Sequence, residues 1–226
     1  MRKIRPIFER TRAGTPALHE VLLWSAGVPA REMLAKVQRP GSNAPMTTTG
    51  WRSRGYLPHC DERGLVQHII FGLNDGFRSP PPHVEGSTER AAWADHEFDR
   101  GHGSRILATP HHAKTLQDCL LYSDGERYAL AAWCIMPTHV HVLVEQFEGH
   151  SLSDVVQKWK SVSAHAINRA EGRKGRLWQP EYFDRFMRSG EQFAWTVNYV
   201  ENNPVTAGLV ERPEDWAFSS STWRRQ

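Results

Sequence analysis

The chain has 226 residues, 39% of them hydrophobic, with nine Trp, nine Phe and a formal net charge of +3. This is enough apolar material for one packed domain plus an extension, and no apolar run reaches the ~18 residues that a membrane span needs. The cysteines at 60, 119 and 134 are odd in number and never spaced Cys-x-x-Cys, which excludes a disulfide framework and a structural zinc knot and leaves them as buried small hydrophobes.

Charge is distributed unevenly. Residues 1–50 carry eight Lys/Arg against three Asp/Glu, residues 61–150 seven against thirteen, and residues 151–190 eight against four. An anionic partner is therefore expected at a local basic surface in the last of these stretches rather than over the whole chain.

Residues 1–50 mix Pro, Gly, Ser and Thr with short apolar runs such as Val21–Trp24 and close on Pro40–Gly50, a linker composition. We expect a poorly ordered N-terminal extension and linker over 1–50, with Met46 an alternative start, and a single domain over 51–226. The basic opening Met1–Pro6 lacks the apolar core of a secretory signal, so a cytoplasmic location is expected. In Trp51–His59, Arg52 and Arg54 stand beside Tyr56, a composition suited to phosphate and base contacts, with edge packing of the aromatics as the alternative.

Val66–Leu73 reads as a first strand, nearly all apolar and closed by Asn74-Asp75-Gly76. Pro80–Pro82 breaks the chain before helices expected around 86–98 and 109–122. Their histidines, at 83, 96, 102, 111 and 112, follow no ligand spacing and are read as surface or capping groups. Residues 127–145 form a hairpin, Tyr128–Ile135 turning through Met136-Pro137-Thr138 into His139-Val140-His141-Val142-Leu143-Val144. With a period of two, His139 and His141 share one face of the strand while Val140, Val142 and Val144 enter the core.

Ser151–Asp154 is a capping box that opens a helix with Leu152, Val155, Val156, Trp159, Val162 and Ala166 on its apolar side. The far side carries Lys158, Lys160, His165 and Arg169. It leads into a Gly-rich loop with Arg173, Lys174, Arg176 and Trp178, the candidate DNA-contacting surface together with Lys158 and Lys160. Tyr182–Arg188 alternates like a strand. Ser189–Gln192 caps a last long helix that should end near Asn203, because Pro204 disfavours helical geometry in the residue before it. Phe193, Val197 and Val200 face the sheet; Gln192, Thr196, Tyr199 and Asn203 form a polar stripe, and Tyr199 and Asn203, four apart, reach the same point. Ala207–Val210 reads as a helix-stopping turn, followed by the aromatic tail Asp215–Ser220.

Two same-face imidazoles bind divalent ions, and the amide oxygen of Asn203 could complete a three-ligand face open to a phosphate oxygen. Tyr199, one turn before that amide, is placed as a nucleophile whose phenol, with an unperturbed pKa of about 10, must lose its proton in step with attack.

Met136–Val144, Leu177–Arg185 and Tyr199–Val210 followed by Glu214-Asp215-Trp216 closely resemble the REP-associated tyrosine transposases, single-tyrosine members of the His-hydrophobic-His (HUH) superfamily. The resemblance runs from about Arg54 to about Trp223 and leaves residues 1–50 outside. It implies an α+β fold, a ferredoxin-like antiparallel sheet with helices packed on it, and Mg²⁺ or Mn²⁺ held by His139 and His141. Asn203 would then ligate or orient the ion, and Tyr199 would be the nucleophile. It further implies cleavage of single-stranded DNA at palindromic repeat hairpins through a 5′-phosphotyrosine, by a monomer or a homodimer, with no membrane partner. Thr138 stands where the family commonly has Asn. The competing readings are a domesticated protein that recognises such hairpins without cutting, and a metal-dependent hydrolase that uses water and can dispense with Tyr199.

Overall fold

The computed structural model describes the backbone at residues 51–53 and 58–60, and residues 65–76, 93 and 96–223. The expected N-terminal extension, His83, Arg54, Tyr56 and the side chain of Arg52 lie outside the described residues.

Two short strands, β1 (Trp51–Ser53) and β2 (Pro58–Cys60), pair as a small hairpin. The main sheet contains β3 (Val66–Gly72), β4 (Tyr128–Ile135), β5 (His139–Gln146) and β6 (Phe183–Phe186), all antiparallel, in the order β4-β5-β3-β6. With helices α1 (Pro110–Leu121) and α2 (Leu152–Ala170) in the crossovers, this is the β-α-β-β-α-β ferredoxin-like arrangement.

The register divides the side chains between two faces. Ile69, Phe71, Val140, Val142 and Val144 pack with Leu116, Leu120, Val156 and Trp159, so α1 and α2 cover one face. The Trp159 indole donates to the Tyr128 hydroxyl (2.9 Å), which in turn donates to the Leu120 carbonyl (2.7 Å), so the polar atoms inside this layer are partnered.

The other face, carrying Ala129, Ala132, Cys134 and Leu143, is covered by α3 (Gly190–Thr206) through Phe193, Val197 and Val200. Each of these side chains is worth roughly 1.5–3 kcal/mol of burial. The start of α3 is set by reciprocal capping: Ser189 Oγ accepts from the Gln192 amide (3.1 Å), and Gln192 Oε1 accepts from the Arg188 amide (2.9 Å).

Two helix expectations need correction. In the second half of α2 the buried stripe runs through Ser163 and Ile167, whereas Val162 is 49% exposed and Ala166 is exposed. The helix there faces the 177–182 segment, and the Trp178 indole donates to Ser163 Oγ (3.0 Å). Likewise α3 does not stop at Asn203 but runs through Pro204 to Thr206. Pro204 is buried in the final turn, the amides of Ala207 and Leu209 close on the Asn203 and Pro204 carbonyls, and Gly208 at φ +68° ends the helix.

The outer edge of β4 is covered by the C-terminal segment. The Ile135 amide donates to the Phe218 carbonyl (2.9 Å), and the Trp216 indole donates to the Ile135 carbonyl (3.0 Å).

Candidate active site

His139 and His141 project from the start of β5 onto the face covered by α3, because His139 lies opposite Gly72 and His141 opposite Ile70 in the β3–β5 register. Two positions along β3 from Ile70, on that same face, is His68. Its Nε2 lies 3.1 Å from His141 Nδ1, and the two rings stack 5.3 Å apart. On the other side, Thr138 Oγ1 lies 2.9 Å from His139 Nδ1. The Nδ1 atoms of both histidines are thus engaged, and the two Nε2 atoms face each other at 3.0 Å.

All three imidazoles are buried. Burial lowers the pKa of His139 to about 3 and, together with the Arg185 charge, that of His68 to about 3. His141 is driven well below the ordinary value by burial and then by the neighbouring His139 and His68. They are therefore neutral at physiological pH, the form that coordinates metals.

The cluster is completed by residues from two other places. Tyr199 and Asn203 descend from α3, and Asp99 arrives at the end of a helical turn at 96–99. Tyr199 Oη donates to Asp99 Oδ2 (3.2 Å). Asn203 Nδ2 donates to Asp99 Oδ1 (3.4 Å) and faces His141 Nε2 (3.2 Å). Asp99 Oδ1 stands 4.0 Å from His139 Nε2 and 3.9 Å from His141 Nε2. Partial burial raises the Asp99 carboxyl, opposed by the hydrogen bonds from Asn203 and Tyr199. The Tyr199 ring stacks on Trp195 (5.4 Å, 4° between planes) and meets the His141 and His68 rings edge-on at 5.6 and 6.0 Å.

The donor set fits a divalent ion. Ligands ~2.1 Å from a common centre and at right angles to each other stand ~3.0 Å apart, the separation of the two Nε2 atoms. With Nδ1–H directed at Thr138 and at His68, both Nε2 lone pairs enter one gap, and a cation there removes their repulsion. Donor atoms of Asp99, His139 and His141 all lie within 4.8 Å of one another. In this arrangement the amide nitrogen of Asn203, not its oxygen, faces the histidines; half a turn of the amide exchanges the two.

The segment carrying Asp99 is fastened at both ends. Phe98 fills the space left by the missing side chain of Gly72 and lies against His139 and Phe183 at 5.5 and 5.7 Å. Gly103, at φ +93°, meets the backbone of Gly76, and Asp75 Oδ2 accepts from the Ser104 amide (3.1 Å). The end of β3 is held in turn by the Thr138 carbonyl on one side and by Leu177–Gln179 on the other.

Of the residues singled out for chemistry, His139, His141, Tyr199 and Asn203 are therefore brought together. Asp99 and His68 escaped the sequence reading. His68 had a detectable signal, a titratable residue on the same strand face as Ile70 and Gly72, but its partner is decided by strand pairing. Asp99 had none, as it arrives through a segment with no motif.

The basic residues divide. Arg173, Lys174 and Arg176 are exposed and line a cleft of about 700 Å³ between α2 and the 173–182 segment, together with Lys160, His165 and Arg169. Lys160 holds the segment in place by donating to the Pro180 and Glu181 carbonyls (3.1 and 3.2 Å); burial lowers its ammonium to about 8, with Glu181 opposing and Arg176 adding to the shift. Lys158 points elsewhere, into a hollow shared with α1. His112, read as a surface or capping group, is instead buried, and its Nε2 pairs with Glu171 Oε1 at 2.6 Å at the base of the basic loop. The reason is tertiary, since α1 lies against the end of α2.

An antiparallel ferredoxin-like sheet with adjacent strand histidines and a tyrosine above them on a packed helix defines the HUH endonuclease and transposase fold. Residues 105–203 match the family model described as Transposase IS200 like. The chain is related to the REP-associated tyrosine transposases. It is 27% identical over 122 residues to that of Escherichia coli K12, covering 54% of this chain and 70% of the relative. A solved REP-associated tyrosine transposase bound to a REP hairpin shares the fold at 20% identity and a TM-score of 0.52, over 76% of this chain and 83% of that one. No helix among the described residues is long and apolar enough to cross a membrane.

Proposed function

We propose that this protein is a metal-dependent single-stranded DNA endonuclease and strand transferase of the transposase type, acting in the cytoplasm at palindromic repeat hairpins through a 5′-phosphotyrosine. The observation that carries the reading is the convergence of Tyr199, Asp99, Asn203 and the two Nε2 atoms on one point. The hairpin substrate is carried over from the related structure, and the basic cleft supports it.

His139 and His141, with an oxygen of Asp99 or the amide of Asn203, would hold Mg²⁺ or Mn²⁺, which when bound polarises the scissile phosphate. Buried and neutral, the histidines keep their lone pairs for that role. Thr138 and His68 hold the two imidazoles in orientation through their Nδ1 atoms. Trp195 and the imidazole edges confine the Tyr199 ring so that its hydroxyl stays at the cluster. Covalent attachment preserves the phosphodiester energy, so rejoining needs no nucleotide cofactor. Arg173, Lys174 and Arg176, in the cleft along α2, offer phosphate contacts.

The test is Tyr199→Phe, which removes one oxygen from a half-buried ring. Incubated with a single-stranded hairpin oligonucleotide and Mn²⁺, the native protein should form a covalent adduct that peptide mass spectrometry maps to Tyr199. The variant should bind the hairpin and form none. Adduct on Tyr182, or cleavage without any adduct, would refute the proposal; the second outcome would favour a water-using hydrolase.

A further inference from the structure

We propose that Asp99 is the catalytic base of the tyrosine attack, taking the phenolic proton on Oδ2 while Oδ1 remains turned toward the histidines. This deepens the reading of Tyr199 as nucleophile and rests on it. The geometry is direct, with Tyr199 Oη donating to Asp99 Oδ2 at 3.2 Å, within the distance at which a base takes a proton. The histidines near the phenol are committed elsewhere. His68 Nε2 is paired with His141 Nδ1, His139 Nδ1 with Thr138, and the two Nε2 atoms face each other. The His68 and His141 rings stand nearly perpendicular to the tyrosine ring at 6.0 and 5.6 Å.

The other carboxylate oxygen is held by Asn203 on the same helix as the nucleophile. Base and nucleophile are thus locked to each other across 100 residues of sequence. The carboxylate is 34% exposed, so a strand lying over the histidines can reach both groups.

The step balances as follows. The Tyr199 Oη–P bond forms as the P–O3′ bond breaks, and the phenolic proton passes to Asp99 Oδ2. The 3′ oxygen leaves with the bonding pair and takes a proton from solvent. In rejoining, the 3′-OH attacks phosphorus, its proton returns to solvent, and Asp99 gives its proton back to the departing phenolate.

The test uses the full chain at saturating Mn²⁺ with a hairpin oligonucleotide. Asp99→Asn should reduce single-turnover adduct formation by about 100-fold or more, with hairpin binding and thermal midpoint close to native. Asp99→Ala should behave alike. Replacing Tyr199 by a fluorinated tyrosine, whose phenol is already ionised at neutral pH, should restore at least ten-fold of the loss in Asp99→Asn and help the native protein little. Recovery of Asp99→Asn at Mn²⁺ concentrations above those that saturate the native protein, or no recovery with the fluorinated tyrosine, would overturn the proposal and leave Asp99 as an ion ligand or a scaffold. If the native protein forms no adduct at Tyr199, the underlying reading fails instead, and that result is visible before any Asp99 variant is made.

Discussion

Gly72→Ala should uncouple catalysis from DNA binding without touching a residue that does chemistry. A Cβ at this position would stand 2.9 Å from Phe98 Cδ1, 3.2 Å from Cζ and closer still to Cε1. The ring cannot simply rotate away, because His139 and Phe183 flank it and Ile70 packs on it. It must move outward by about 1 Å, and overpacking of this kind costs about 1–3 kcal/mol. Asp99 is the next residue along the chain, so its contacts with Tyr199 and Asn203 move with the ring. A misplacement of about 1 Å costs about 100-fold in rate.

The expected outcome is therefore a modest fall in thermal midpoint, unchanged hairpin affinity by fluorescence anisotropy, and adduct formation slower by about 10- to 100-fold. Phe98→Leu in the Gly72→Ala background should recover stability by making room. A Gly72→Ala protein with native stability and native adduct formation would show that Phe98 does not hold the Asp99 segment against the sheet. Lost stability with full activity would show that the position of Asp99 is immaterial.

Neutralising Arg173, Lys174 and Arg176 together should weaken hairpin binding and reduce the salt slope by about 0.7 per lost phosphate contact, measured from binding isotherms at several salt concentrations; an unchanged slope would mean that the loop is only solvated. Thr138→Val removes the hydroxyl beside His139 Nδ1 and should lower Mn²⁺ affinity by about 10- to 100-fold, read by calorimetry on the DNA-free protein. Asp124 is half-buried, accepts from the Leu130 amide, and is raised to about 6, chiefly by burial. A carboxyl whose folded pKa exceeds its unfolded one adds stability at low pH that is lost as pH rises through about 6. Asp124→Asn should therefore gain on the native protein by about 1–2 kcal/mol between pH 4 and pH 8, after allowance for partial exposure, as denaturant unfolding at the two pH values would show.

The hairpin, the capped helices and the shared direction of His139 and His141 were legible in the chain because they rest on local rules, the two-residue period of a strand and the hydrogen bonds of a cap. Tyr199 and Asn203 were legible as a pair for the same reason, lying four residues apart on one helix. Only the tertiary structure decided what those pairs meet. His68 reaches His141 through strand pairing across 73 residues, and Asp99 reaches Tyr199 through a segment held by the missing side chain of Gly72. The turn of α2 toward Trp178, the burial of His112 and the passage of α3 through Pro204 were likewise settled by packing, where burial and long-range partners outweigh the weak local preferences that a sequence displays.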